Sequence, residues 1–331
     1  MDLIWVNPND LDWRDVAGAV AVLEAAREVD TPYELSHMVS ALVAHITYGW
    51  DSNPPIMAAT RDRDGRVIGV LEVELPIWDN RHIGEVRVTV DPQWRRRGVG
   101  RSLFEAGVER AQADGRTVIL TSGVERPASI AFAKAIGLQQ AAVEVRRRLE
   151  LLALDWDRLD NEYAKAAHRA AAYDLVRLPG TTPAEMLPDL AAMTAAINDA
   201  PTDDLDIEDE VFSPERIRAF ETAQVNSNRR IYRLVARERD TGALAGHTVV
   251  GVESDRPWFG WQYDTSVLRS HRGHRLGLFL KIGMLHWLRE QEFQLRAVDT
   301  WNAASNVHMI EVNEVLGYRV VANEIVWQRH L

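Results

Sequence analysis

The sequence predicts an α+β fold: two tandem copies of one domain, each a mixed, mostly antiparallel sheet flanked by helices. Three observations lead there. The chain repeats itself at a fixed offset, strands and hairpins alternate with helices in each half, and each half carries a basic, glycine-containing loop between a strand and a helix. A length of 331 residues also suits about two domains.

The repeat is the strongest of these. At an offset of 177 residues Gly65 falls on Gly242, Gly69 on Gly246, Arg95 on Arg272 and Gly100 on Gly277, with no gap between the pairs. After a small insertion, Ile136-Gly137-Leu138 lies over Leu316-Gly317-Tyr318. This places an N-terminal domain at 1–150, a connecting helix at 151–172 and a C-terminal domain at 173–331.

The elements follow the same order in both copies. In the first, Leu3 to Val6 reads as a strand, and Leu11 to Val29 and Pro32 to Tyr48 have helical spacing. Ile56 to Thr60 and Val67 to Leu75 flank the turn Arg63-Asp64-Gly65, where glycine suits a hairpin. Ile83 to Val90 is a strand, a helix runs from about Gly98 to Ala113, and Asp114-Gly115 stops it. A strand at Thr117 to Thr121, a helix at Ser129 to Ala135 and a strand from Leu138 to Leu149 complete the copy. In the second, Tyr173 to Leu178 is followed by helices at Pro183 to Asn198 and Pro214 to Thr222, then a hairpin about Asp240-Thr241-Gly242. Trp258 to Val267, Leu276 to Arg289, Arg296 to Thr300, Ser305 to Leu316 and Tyr318 to Arg329 repeat the remainder.

Composition narrows the function classes. There are no cysteines, which excludes disulfides, thiolate metal sites and cysteine nucleophiles. A net charge of −11 argues against general nucleic-acid binding. No apolar run is long enough to span a bilayer and the N-terminus lacks signal-peptide features, so a cytoplasmic location is expected. His and Asp spacing gives no metal site.

The informative segment is the loop Asp91-Pro92-Gln93-Trp94-Arg95-Arg96-Arg97-Gly98-Val99-Gly100-Arg101 between a strand and a helix. A helix N-terminus offers unpaired N–H groups and the positive end of the helix dipole, and so favours an anion. Gly98 and Gly100 permit close backbone approach, and the arginines add planar donors suited to phosphate. The Rossmann fingerprint does not fit, because Leu103 stands three residues after Gly100. The ATP-binding loop is excluded by the lack of Gly-Lys-Ser/Thr.

Arg95-x-x-Gly98-x-Gly100 resembles the acetyl-coenzyme-A signature of the GNAT superfamily of N-acetyltransferases, and the element order of each half resembles that fold. The second copy, Arg272-Gly273-His274-Arg275-Leu276-Gly277, departs at Arg275, which stands where Gly98 does. The resemblance implies acetyl-CoA as cosubstrate, with phosphate contacts from Arg95, Arg96, Arg97, Gly98, Val99, Gly100 and Arg101, and from Arg272 through Gly277. It implies pantetheine contacts from the backbone of Val88, Val90, Thr265 and Val267, and coenzyme contacts from Asn302 and Asn306. It further implies transfer of an acetyl group to a primary amine by direct attack in a ternary complex. The family's usual tyrosine acid is absent: its positions are Ala133 and Asn313. Asn313 is the remaining candidate to hydrogen-bond the leaving thiolate.

Two carboxylates precede the loops. Glu85 reads either as a base or as an ion-pair partner of Arg87, and Asp264 as a base lining the acceptor pocket, on one strand face with Gln262. His247, His271 and His274 read as structural or as further bases. The acidic run Asp203 to Glu210 reads as a solvated loop or as an attractor for a cationic acceptor. The expected partner is a small-molecule amine, with no nucleic acid and no membrane, in a monomer or homodimer. Two alternatives stay open: a non-catalytic acyl-CoA sensor, and one catalytic half beside a degenerate structural half.

Overall fold

The computed structural model describes residues 3–331. In chain order the elements are β1 (Leu3–Trp5), α1 (Trp13–Asp30), α2 (Val39–Tyr48), β2 (Ile56–Arg61), β3 (Val67–Glu74), β4 (Ile83–Val90), α3 (Val99–Ala113), β5 (Val118–Val124), α4 (Pro127–Ala135) and β6 (Gln139–Glu150). They continue with α5 (Trp156–Arg169), β7 (Tyr173–Pro179), α6 (Leu187–Thr194), α7 (Pro214–Asn226), β8 (Arg229–Glu238), β9 (Leu244–Glu253), β10 (Phe259–Val267), α8 (Leu276–Gln291), β11 (Ala297–Ala303), α9 (Val307–Leu316) and β12 (Arg319–His330). Thr31-Pro32 closes α1, and the chain stays non-helical to Met38, so α2 is shorter than its periodic pattern suggested. Proline cannot continue the backbone hydrogen-bond ladder there.

The chain divides into two compact units. The first comprises residues 1–143, 202–209 and 323–331; the second comprises 144–201 and 210–322. Each unit therefore takes its final strand from the other copy of the repeat.

In the first unit the strand order is β1-β2-β3-β4-β5-β12. All pairs are antiparallel except β4 with β5, and the β5–β12 register places Ile325 opposite Gly123 and Trp327 opposite Thr121. Helices α1 and α2 cover one face, packing Val16, Val22, Leu42 and Ile46 on Met57, Ala59 and Val70. Helix α3 covers the other, packing Leu103, Phe104 and Val108 on Leu71, Val73 and Val86. Each such side chain contributes about 1.5–3 kcal/mol when fully buried, so α3 and the loop that starts it are firmly held. The approach is close because Gly107 has no side chain: a Cβ there would lie 2.6 Å from Val86 Cγ1.

The second unit repeats the plan with the order β7-β8-β9-β10-β11-β6, again with one parallel pair, β10 with β11. Helix α8 packs Leu280, Met284 and Trp287 on Leu234, Val250, Val252 and Val298. On the opposite face α6 and α7 pack Leu190, Met193 and Ile217 on Val235. The segment expected to connect the copies contains α5, whose Leu159 joins Leu278, Ile282 and Leu316 in this unit's core. The acidic segment 202–209 belongs to the first unit, where Asn80 accepts from the Glu208 backbone N–H at 2.7 Å and His82 Nε2 lies 3.0 Å from the Asp206 carbonyl.

Candidate functional site

Both units open a fork between the two parallel strands. In the first, β4 and β5 pair only over Ile83–Glu85 and Val118–Leu120, then part. In the second, β10 and β11 pair only over Phe259–Trp261 and Ala297–Asp299. Beyond the last pair, one edge of each strand is left without a strand partner.

The backbone groups facing that gap can be assigned. Asp91 N–H donates to Ile68 O on β3 at 3.0 Å, so alternation turns the N–H and C=O of Val88 and Val90 the other way, into the fork. Arg95 Nε donates to the outward Val90 carbonyl at 3.2 Å, which agrees. In the second unit Leu268 N–H donates to Ala245 O at 2.9 Å and Arg272 Nε to Val267 O at 3.1 Å, so Thr265 and Val267 face the fork in the same way. These four residues are the ones named from the sequence.

The loops that follow share a backbone path that their sequences disguise. In the first, Arg96 and Gly98 have φ of 63° and 85°; in the second, Gly273 and Arg275 have 86° and 56°. Two left-handed positions are needed in each loop, and each copy supplies one glycine and one arginine, in opposite order. Arg275 thus keeps the conformation of Gly98 instead of closing the loop, and a Cβ at Gly98 would meet nothing within 4 Å. Helical bonding begins at Ser102 N–H to Gly98 O and at Phe279 N–H to Arg275 O. The N–H groups of Val99, Gly100 and Arg101, and of Leu276 and Gly277, are therefore the free donors of a helix start. Space over Gly277 is likewise open. Free N–H groups, an open cradle and a fork edge fit a coenzyme pyrophosphate and its pantetheine arm.

The arginines divide by role. Arg95 reaches Asp30 at the end of α1 with Nη1 at 3.0 Å and Nη2 at 2.5 Å, and Arg126 joins the same carboxylate at 3.2 Å. Arg272 reaches Asp199 at 2.5 Å, and Arg269 shares that carboxylate. These residues anchor the loops to the strand and to the preceding helical segment. Arg97 lies over the Trp94 ring at 4.7 Å and Arg101 donates to Ala135 O at 2.9 Å. Arg96, Arg97, His274 and Arg275 are exposed around the cradle. His271 Nδ1 is 2.9 Å from the Tyr173 hydroxyl, a fixed place for one of the candidate histidines.

The candidate bases do not occupy equivalent positions. In β10 the register shifts: Gln262 pairs with Val250 but Thr265 with Thr248, so Tyr263 and Asp264 together oppose Val249. The extra residue is a β-bulge, and it breaks the alternation expected to put Gln262 and Asp264 on one face. Gln262 is buried and donates to Val249 O at 2.7 Å, whereas Asp264 is exposed. Enough protein surrounds Asp264 that desolvation holds its carboxyl above the usual range, against the pull of Arg233 and Arg216. β4 has no such bulge; Glu85 pairs with Glu74 and is bonded by Arg87 Nη2 at 2.9 Å. Burial raises its carboxyl against the attraction of Arg87, and Glu74 adds repulsion. His247 is fully buried, takes a hydrogen bond from Arg233 at 3.0 Å, and is held well below its usual pKa by burial and then by Arg233.

At the far side of the fork the copies differ most. Ala133 is buried among apolar side chains that include Phe104. In the second unit Asn313 is fully buried, accepts from Lys281 Nζ at 2.7 Å and donates to Asn302 Oδ1 at 2.6 Å. Asn306 caps α9, its Oδ1 accepting from Met309 N–H at 3.2 Å. Lys281 was not among the residues named from the sequence. The signal was present: it is a lysine inside the otherwise apolar run Leu276 to Leu285, aligned with Phe104 by the repeat.

Residues 22–138 match the acetyltransferase (GNAT) family. Over 99% of this chain and 98% of the other, the protein is similar to a tandem GNAT protein from the clavulanic acid biosynthesis pathway, at 27% identity and a TM-score of 0.81. The N-terminal copy thus matches the GNAT family, and the whole chain shares the fold of a tandem GNAT protein. A GCN5-related N-acetyltransferase from Sphaerobacter thermophilus shares the fold at 15% identity and a TM-score of 0.67, over 99% of this chain and 95% of the other. A structure from Pyrococcus horikoshii does so at 12% identity and a TM-score of 0.55, over 100% of this chain and 89% of the other. No curated protein sequence matches the chain. GNAT proteins use acetyl-CoA as cosubstrate, so acyl-CoA-dependent acetyl transfer is the activity at the family level. Among the described residues no helix is long and apolar enough to cross a membrane.

Proposed function

We propose that this protein transfers the acetyl group of acetyl-CoA to a primary amine of a small molecule, by direct attack in a ternary complex, and that the C-terminal half is the catalyst. The repeat units of the sequence, 1–150 and 173–331 joined by 151–172, are the two copies in this reading. The observation that carries it is Asp264, placed by a bulge three residues past the last strand pair, with its carboxyl raised. A base in that state takes a proton from an ammonium and leaves an amine free to attack.

Backbone N–H groups at Thr265 and Val267 face the fork, where one of them stabilises charge developing on the thioester oxygen. Asn302 and Asn306 line the β11 side, and Arg272 to Gly277 hold the pyrophosphate. In the first copy Val88, Val90 and the loop Arg95 to Arg101 support coenzyme binding in the same manner. There Glu85 is engaged by Arg87, and an apolar pair, Phe104 and Ala133, stands where the second copy has polar groups. That contrast favours one catalytic half beside one that binds coenzyme.

Separate Arg95→Ala and Arg272→Ala variants, titrated with acetyl-CoA by calorimetry and assayed for thiol release over a panel of primary amines, test the reading. Turnover that survives loss of Arg272 removes the C-terminal assignment. Binding without turnover on every amine favours a sensor.

A further inference from the structure

We infer that Lys281 is a positioning residue of the C-terminal half: through Asn313 it sets the direction of a hydrogen-bond chain whose accessible end, the Asn302 amide nitrogen, donates to the sulfur that leaves the thioester. The inference rests on the C-terminal half being the catalyst.

The direction of the chain follows from hydrogen-bond chemistry. An ammonium group only donates, so the atom of Asn313 at 2.7 Å from Lys281 Nζ is its carbonyl oxygen. The Asn313 amide nitrogen is then the donor to Asn302, at 2.6 Å, and the Asn302 atom that accepts is Oδ1. The orientation of both amides is thereby fixed by the lysine at the head of the chain. Lys281 and Asn313 are buried, whereas Asn302 is half-buried and lies on β11 three residues past its last pair with β10, at the fork. The side-chain hydrogen bonds thus end at the Asn302 amide nitrogen, a donor, its Oδ1 being taken by Asn313.

A buried lysine needs a reason, because desolvation of an ammonium is costly. Structure alone does not require one here. The first copy fills the equivalent sites with Phe104 and Ala133, both buried, in the same packing of helix on sheet. Around Nζ, the Tyr318 ring lies at 5.1 Å and remains a neutral phenol, raised by burial and then by Asp299. Asp299 itself is paired with Arg146 at 2.7 Å and Arg148 at 2.6 Å. Burial alone lowers Lys281 to about 7.

In the transfer step the amine lone pair forms the C–N bond, and the C–S bond breaks with its electron pair on sulfur. One proton of the attacking ammonium goes to the Asp264 carboxylate before attack, and the second, made acidic once the C–N bond forms, leaves through water and balances the proton that the thiolate takes up. Lys281 acts in its ammonium form and transfers no proton in the step. Its charge, relayed by two polarised amides, strengthens the donor facing the sulfur.

The test uses the full chain with Lys281→Met, Lys281→Gln and the double variant Lys281→Phe/Asn313→Ala, which copies the pair already packed in the first copy. Thiol release from acetyl-CoA over a panel of primary amines should show kcat lowered about tenfold or more in Lys281→Met and the double variant, with KM for acetyl-CoA within about threefold. Lys281→Gln keeps a donor without charge and should fall between them and the wild type. Unchanged kcat in the folded double variant overturns the inference. A second readout does not need turnover: the Asn302 side-chain amide resonances, identified by their loss in Asn302→Asp, should shift on adding coenzyme A to the wild type and not to Lys281→Met. Equal shifts in both, or none in the wild type, also overturn it. Activity lost with Arg95→Ala and kept with Arg272→Ala sinks the C-terminal assignment itself, a result distinct from either outcome at Lys281.

Discussion

Gly98 and Arg275 hold the same left-handed backbone position at the start of their helices, with φ of 85° and 56°. A residue with a Cβ is strained there and glycine is not, although glycine gives up more freedom on folding. Arg275→Gly should therefore stabilise the protein by about 0.5–1 kcal/mol, and Gly98→Ala should destabilise it by a similar amount. Chemical denaturation checks both. Acetyl-CoA affinity at the second loop should fall in Arg275→Gly only by what the lost guanidinium charge contributed, since the free N–H groups stay where they are.

Arg95 and Arg272 each bond the strand carbonyl just before their loop and a carboxylate, Asp30 or Asp199. Losing either should loosen one cradle and spare the other. Calorimetric titration should resolve two sites in the wild type and lose one in each variant, with affinity at that site falling roughly tenfold to a hundredfold for a lost charge-assisted anchor. Asp30→Asn should weaken the first site in the same direction.

Asp264 links activity and stability with opposite signs. Its folded pKa is raised, so stability from this group is full below the unfolded pKa and is lost as pH rises through the folded one. At neutral pH the ionised carboxylate costs stability. Asp264→Asn should melt a few degrees higher than the wild type at pH 7, with the gap closing in acid. The same variant should lose most turnover and the acid limb of the pH–rate profile, because the base works only as the carboxylate.

Lys281 gives a second pH signature. A folded value near 7 lies far below the unfolded value for lysine, so the unfolded state binds more protons between about pH 7 and 10. Wild-type stability should rise across that window relative to Lys281→Met, by an amount on the order of 4 kcal/mol for a shift of this size. Denaturation curves at pH 7 and 9.5 measure it, and parallel behaviour of the two proteins would contradict a lysine whose ammonium form is penalised by burial.

Much of this fold was legible because its signals are local. Periodicity, the turns at Gly65 and Gly242 and the helix stops at Gly115 and Gly317 depend on nearby residues, and the repeat confirmed each by its partner. The fork-facing set Val88, Val90, Thr265 and Val267 was legible for the same reason. What escaped the sequence was set by tertiary register. No pattern announces that β10 has one residue more than β4 between equivalent pairs, so Asp264 and Glu85 looked more alike than they are. The trade of Arg96-x-Gly98 for Gly273-x-Arg275 read as a lost glycine, when the backbone had kept both left-handed turns. Lys281 was visible as a misfit in an apolar helix, but its partner on α9 is thirty-two residues away and only the fold joins them.

The exchanged final strands bear on how the chain is made. β5 waits for β12, which the ribosome produces about two hundred residues later, roughly 10–40 s at ordinary elongation rates. Through that interval β5 is an open sheet edge, the kind of surface chaperones and neighbouring nascent chains recognise. The second unit has the reverse schedule, with β6 already made before β11 needs it. A gene cut between the copies would deliver two products, each lacking the strand that seals its sheet, so expressing both halves together should rescue solubility that neither has alone.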